Sequence, residues 1–110
     1  MKNFIHSAEM LTVQAPYAVL SGQGVLVGSL FGVAAYNAAQ GEFVEIKRVG
    51  VFEIDADAAK AGAPGVKIYW DDAARRLTTT AAGGSLIGAL VKTKAAGEPV
   101  MRVLLDGVVR

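Results

Sequence analysis

The segment Gly83-Gly84-Ser85-Leu86-Ile87-Gly88 has the glycine spacing of a phosphate-binding loop. Such a loop, Gly-x-x-x-x-Gly-Lys-Ser/Thr, cradles phosphates with backbone amides and completes the charge with lysine. Here Ala89 stands where lysine is required, and Lys92-Thr93 follows too late, within what reads as a strand. His6 is the only histidine and there is no cysteine. Metal sites need several converging ligands, and a nucleophile needs a base, which here is reduced to one imidazole in an N-terminal arm. Asp71 and Asp72 have the chemistry of a cation-binding pair, but adjacent acids between strand-like runs read as turn residues bonding the backbone two residues on. Glu42 and Glu98 each follow a glycine and read as turn-edge residues. The expectation is therefore no catalytic residue, no cofactor site, no metal site and no enzymatic activity.

The elements that carry these residues are strands, and they repeat. Ser29-Leu30-Phe31-Gly32-Val33-Ala34 aligns with Ser85-Leu86-Ile87-Gly88-Ala89-Leu90, and Ala39-Gln40-Gly41-Glu42-Phe43-Val44 aligns without a gap with Ala95-Ala96-Gly97-Glu98-Pro99-Val100. With one extra residue the match reaches Val49-Gly50-Val51 beside Leu105-Asp106-Gly107-Val108. Upstream, Gly24-Val25-Leu26-Val27 is paired with Gly65-Val66-Lys67-Ile68. Self-similarity on this scale marks a repeated structural unit. The reading is mostly β, a small antiparallel barrel or sandwich of two similar glycine-punctuated strand units with little helix. Its domain plan is an arm over 1–8 and one β domain over 9–110, with repeats at about 24–52 and 65–109.

Within the units, Val51-Phe52-Glu53-Ile54-Asp55 alternates apolar and charged positions as a half-buried strand does. Lys67-Ile68-Tyr69-Trp70 has the aromatic and β-branched content of a strand. With the Asp71–Ala74 turn and Arg76-Leu77-Thr78-Thr79-Thr80 it predicts a hairpin over 66–80. Gly41 and Gly97 suit positive φ at a turn, and Gly32, Gly50, Gly88 and Gly107 are read as structural turn glycines with them. Only Asp55 to Ala63 is rich enough in alanine for helix, and it is short enough to be a turn or loop instead.

Lys plus Arg number 11 and Asp plus Glu 10, so charge implies neither a nucleic-acid nor a membrane-surface partner. With 53% hydrophobic and 19% charged residues, a free monomer would have a sparsely charged surface, which suits a protein that sits against other subunits. No charged residue occurs from Met10 to Gly41, and Gly24, Gly28 and Gly32 stand four apart, as in a helix-packing face within a membrane. Pro16, Gln14, Gln23, Ser21 and the glycines dilute that run below a span's length. The second copy carries Lys92 and Lys94, so both copies read as strand pairs rather than membrane helices. The start of the chain lacks the continuous apolar run of a signal peptide.

The string Gly24-Val25-Leu26-Val27-Gly28-Ser29-Leu30-Phe31-Gly32-Val33-Ala34-Ala35, then Gly41-Glu42 and Gly50-Val51-Phe52, resembles a widespread phage and prophage family. So does Val66-Lys67-Ile68-Tyr69-Trp70-Asp71-Asp72 with Leu86-Ile87-Gly88 after it, and the similarity covers nearly the whole chain. Members are often labelled predicted RecA/RadA-type phage recombinases, a label that fails at Ala89. They are also described as capsid cement, or head decoration, proteins. The second repeat is similar to head-decoration proteins of lambdoid phages, in which trimers sit on the capsid lattice and an N-terminal arm reaches the shell.

The resemblance implies a virion structural protein on the capsid surface, present in the host cytoplasm during assembly. Its implied partners are itself, as a homo-oligomer with trimer preferred, and the phage major capsid protein; no nucleic acid and no membrane are expected. Phe4 and Ile5 in the arm, with Tyr69 and Trp70, are the candidate partner contacts. A head-fibre or tail adaptor is the alternative within a virion. A recombination-associated DNA-binding protein is the alternative outside it, and would need Lys47, Arg48, Arg75, Arg76, Lys92 and Lys94 to form a groove.

Overall fold

The computed structural model describes residues 10–81 and 84–107. Their regular structure is entirely β: β1 Met10–Gln14, β2 Gly24–Val27, β3 Leu30–Ala34, β4 Phe43–Lys47, β5 Val49–Asp55, β6 Lys67–Asp71, β7 Arg76–Thr78, β8 Ser85–Leu90 and β9 Val100–Asp106. The arm expected over 1–8 lies outside the described residues. The alanine-rich stretch after Asp55 forms no helix, because Asp57 folds it into a turn. Its carboxylate accepts the Ala59 N–H and its carbonyl accepts the Lys60 N–H, the backbone competition that keeps aspartate out of helix interiors.

The strands form two antiparallel sheets, of order β1-β4-β3-β2 and β5-β9-β8-β6-β7. Setting β7 aside, the two orders are the same: the first strand lies beside the fourth, and the others follow as neighbours, a Greek key. The duplication is therefore one of topology as well as of sequence. Backbone bonds repeat with it. Val19 and Ala38 exchange N–H···O bonds at 2.9 and 3.0 Å, and Gly62 and Lys94 do so at 3.1 and 2.9 Å. Gly22 donates to the Ala34 carbonyl as Gly65 does to that of Leu90. These bonds pair Gly65 with Gly22, two residues from the Gly24 equivalence expected from sequence. The shift arises because the second unit carries an insertion, the β6–β7 hairpin, that obscures where the copies realign.

Each unit closes on the same turn. The Ala39 N–H donates to the Glu42 carboxylate at 2.6 Å and the Ala95 N–H to that of Glu98 at 3.4 Å. The glycine just before each glutamate has φ of +88° (Gly41) and +99° (Gly97), where any side chain strains the backbone.

The first sheet wraps a core of Val13, Val19, Val25, Ala34, Val44 and Ile46. The other face of β2 and β3, carrying Leu26, Phe31 and Val33, packs onto the second core, which includes Trp70, Ile54, Ile68, Leu77, Leu90, Met101 and Leu105. Strands covered on both faces read as continuous apolar runs. This is the physical reason for the apolar run across β2 and β3, whereas Met10, Leu20 and Tyr36 of the same charge-free stretch are exposed, and no helix of the described residues is long and apolar enough to cross a membrane. The second sheet curls until its edges meet: Ala56 bridges Leu77, the Asp57 N–H donates to the Leu77 carbonyl at 2.8 Å, and Arg76 lies 3.8 Å from the Asp57 carboxylate.

Candidate interaction surface

The sequence signals that could have meant catalysis are absorbed by the fold. Gly84 to Gly88 runs into β8, Ala89 lies inside that strand, and among the described residues no helix follows to offer its N-terminus to a phosphate. Lys92 and Thr93, read as part of a strand, instead lie in the loop after β8, which ends at Leu90. Among the described residues no three His, Cys, Asp or Glu side chains converge on a metal-sized space; His6 lies outside them. Asp71 caps the hairpin turn, accepting the Ala73 and Ala74 N–H groups at 3.1 and 3.2 Å. Asp72 is more than a solvated turn residue: its carboxylate accepts the Trp70 indole N–H at 3.0 Å.

The glycines expected at turns divide into two kinds. Gly41, Gly50, Gly97 and Gly107 have positive φ, although Gly50 lies within β5, paired with Leu105, rather than at a turn. Gly32 and Gly88 do not; they sit within β3 and β8, and the requirement there is room. A Cβ on Gly32 would lie 2.9 Å from the Lys47 carbonyl oxygen, and one on Gly88 would collide with the Leu104 carbonyl.

Trp70, a candidate partner contact, is only 2% exposed and is a core residue. Its ring packs against Phe31, with centroids 5.1 Å apart, and over Gly24, where any Cβ would meet the indole at 2.8 Å. It is the anchor between the sheets and leaves only half-buried Tyr69 of that pair near solvent. Phe4 and Ile5 lie outside the described residues. Beside Trp70 a second cross-unit contact forms. The Arg75 guanidinium sits 3.4 Å from the centroid of the Tyr17 ring, a cation–π arrangement. The Tyr17 hydroxyl donates to the Gly24 carbonyl at 3.0 Å. Arg75 holds φ of +57° and donates through Nε to the Asp72 carbonyl at 2.6 Å. Tyr17 thus covers part of the open edge of β2, and the inserted hairpin clamps it there. Sequence reasoning missed this contact, since nothing local links residues 17 and 75.

Four of the six basic residues required for a nucleic-acid groove have internal roles. Arg48 is buried and donates to the Gly107 carbonyl at 2.7 Å. Arg75 lies on Tyr17 and Arg76 beside Asp57. Lys94 is 3% exposed, with its ammonium bonded to the Lys60 and Ala95 carbonyls.

What the molecule presents outward on both sheets is a mixture of apolar and charged residues. From Phe43 to Asp55, through β4, Arg48 and β5, every odd-numbered residue is exposed while the even-numbered ones turn inward. The period of two thus persists across both sheets. Phe43 is 68% exposed, Val51 55% and Leu104, the direct cross-strand partner of Val51, 44%. The next pair, Glu53 and Arg102, is ion-paired, with the guanidinium donating through both Nε and Nη2 to the one Glu53 oxygen Oε1. That hydrogen bonding, with the guanidinium's charge, holds the Glu53 carboxyl below its usual range. A separate groove of about 450 Å³ opens at the end of the first unit, along Val19, Leu20, Gln23, Ala38, Ala39 and Glu42.

No curated protein and no solved structure matches the chain. The sequence model of a phage cement protein family matches residues 5–105, from ahead of β1 to within β9. That match spans both units, and with it the chain belongs to the phage cement protein family.

Proposed function

We propose that the protein binds the assembled shell of its phage head and stabilises the lattice. The family match over 5–105 carries this reading. The surface supports it: Val49, Val51 and Leu104 are exposed among charges on the outward face of the second sheet, and Phe43 is exposed on β4 of the first, the mixture expected of a contact with another protein. Cement action needs no reaction. Many modest contacts repeated over a lattice give avidity, and whatever binds only the intact shell shifts the balance toward it. The protein would act as a homo-oligomer, with trimer preferred, on the virion surface after accumulating in the host cytoplasm during assembly.

The test adds purified protein to undecorated capsids of its phage. Co-sedimentation at a fixed ratio to shell subunits, with capsids that withstand higher temperature before rupture, is the expected result. Protein that stays in the supernatant and leaves the rupture temperature unchanged overturns the reading. Localisation to tail or fibre in the virion would favour the adaptor role instead.

A further inference from the structure

The two units close the same strand edge in different ways. The bonds made by Gly22 and Gly65 set β2 and β6 in correspondence, so that Leu26 matches Tyr69. On β6 the edge turned away from β8 is taken by β7, where Tyr69 lies opposite Thr78. Among the described residues no strand pairs with β2 on the matching side, and β2 ends its sheet. The Gln23 carbonyl accepts the Ala34 N–H. Alternation therefore turns the backbone groups of Gly24 and Leu26 the other way, toward the open edge. Both meet Tyr17. Its hydroxyl donates to the Gly24 carbonyl at 3.0 Å, and the Leu26 backbone bonds the same phenol oxygen. One side chain thus engages two of the groups that a further strand would use.

The second unit supplies the clamp. The β6–β7 turn sets the Arg75 guanidinium 3.4 Å from the centroid of the Tyr17 ring, and Arg75 is itself tied to the Asp72 carbonyl. The strand beneath has none of the features by which edges resist pairing. Gly24-Val25-Leu26-Val27 carries no charge and no proline, and its register with β3 is unbroken by a bulge. We propose that Tyr17 is an edge guard: its phenol stands in for the missing strand and denies the β2 edge to a second copy of this chain. A second copy is the occupant because it brings the same uncharged edge, and two β2 strands running antiparallel about a twofold axis form a contact that closes on itself. The guard does not depend on the cement reading.

Tyr17→Phe and Tyr17→Ala separate the bond from the bulk. Thermal melting verifies folding, amide hydrogen exchange reads the edge residue by residue, and light scattering behind a sizing column reads mass across a concentration series. In Tyr17→Phe the Leu26 amide should exchange about tenfold faster or more, the scale of one lost hydrogen bond. Val25, turned toward β3 opposite Gly32, should keep its wild-type rate. In Tyr17→Ala the ring is gone as well. Particles heavier than wild type should then form as concentration rises, with the Leu26 amide protected in them and fast in the dilute protein. Wild-type Leu26 exchange in Tyr17→Phe overturns the proposal. So does a folded Tyr17→Ala protein that keeps the wild-type mass at every concentration. Heavier particles in which the Leu26 amide stays fast overturn it too, since the copies then join elsewhere. If Tyr17→Ala does not fold, the Leu26 rate in Tyr17→Phe decides.

Discussion

Truncating Trp70 would remove the ring that the two sheets share. It sits in the second unit but packs against Phe31 and Gly24 of the first, so Trp70→Ala opens a cavity at the seam and leaves Asp72 without its indole donor. The expected cost is about 3–5 kcal/mol, measured by urea unfolding; a change below 1 kcal/mol would contradict the anchoring role. Tyr17 adds a pH dependence. Burial raises its phenol above the ordinary value of about 10, with the Leu26 backbone bond and Arg75 pulling the other way and Asp72 reinforcing the rise. The neutral phenol is therefore favoured in the folded state. Its contribution is complete below the unfolded value and is lost as pH rises through the folded one. An alkaline titration of phenolate absorbance should show a late step that disappears in Tyr17→Phe, and that variant should lose less stability above pH 10. Neither residue's role was legible locally. An aromatic serves cores and interfaces equally well, and what decides for Trp70 is the missing side chain at Gly24.

At the scale of elements, what could be read was periodic or punctuated. The alternation in Val51–Asp55, the Asp71 turn and the paired Ala-x-Gly-Glu closures have local physical causes, and each appears where its residues require. The match of 29–44 with 85–100 has the offset that Ala34 and Leu90 share in the fold, and only the upstream pairing of Gly24 with Gly65 departs, by two residues, because bonds made by Gly22 and Gly65 to distant carbonyls define the equivalence and the β6–β7 insertion breaks the spacing. The two closures make a matched experiment. Gly41→Ala and Gly97→Ala should cost similar amounts, roughly 1–3 kcal/mol each, from the positive φ alone, since a Cβ at either position meets nothing within 4 Å. Gly88→Ala differs in kind. Its φ is ordinary, but its Cβ would run into the backbone of β9, and relief requires β8 and β9 to part. A loss of about 3 kcal/mol or more is expected. Denaturant melts of the three variants check the order, and a Gly88→Ala protein as stable as Gly41→Ala would show that the β8–β9 spacing gives way easily.

For the whole molecule, the open question is what covers the outward face of the second sheet. Val51 and Leu104 are cross-strand partners, both on the solvent side, with Ala89 opposite Leu104 on β8 and Val49 on the same side of β5. Their inward neighbours Met101, Val103 and Leu105 already complete the core, so the apolar character of these outward positions contributes little to folding. Leu104→Glu should therefore change folding stability by no more than about 0.5 kcal/mol, as surface substitutions commonly do. A carboxylate buried in a subunit contact, by contrast, would be left desolvated and unpaired there, which is strongly unfavourable. If this face joins copies of the chain, the mass in solution should fall from oligomer to monomer at unchanged melting temperature, as measured by light scattering behind a sizing column. If it meets the shell instead, the mass stays the same and capsid binding falls. A variant that alters neither would show that the patch of Val51 and Leu104 stays solvated, and would overturn the reading of this face as a contact.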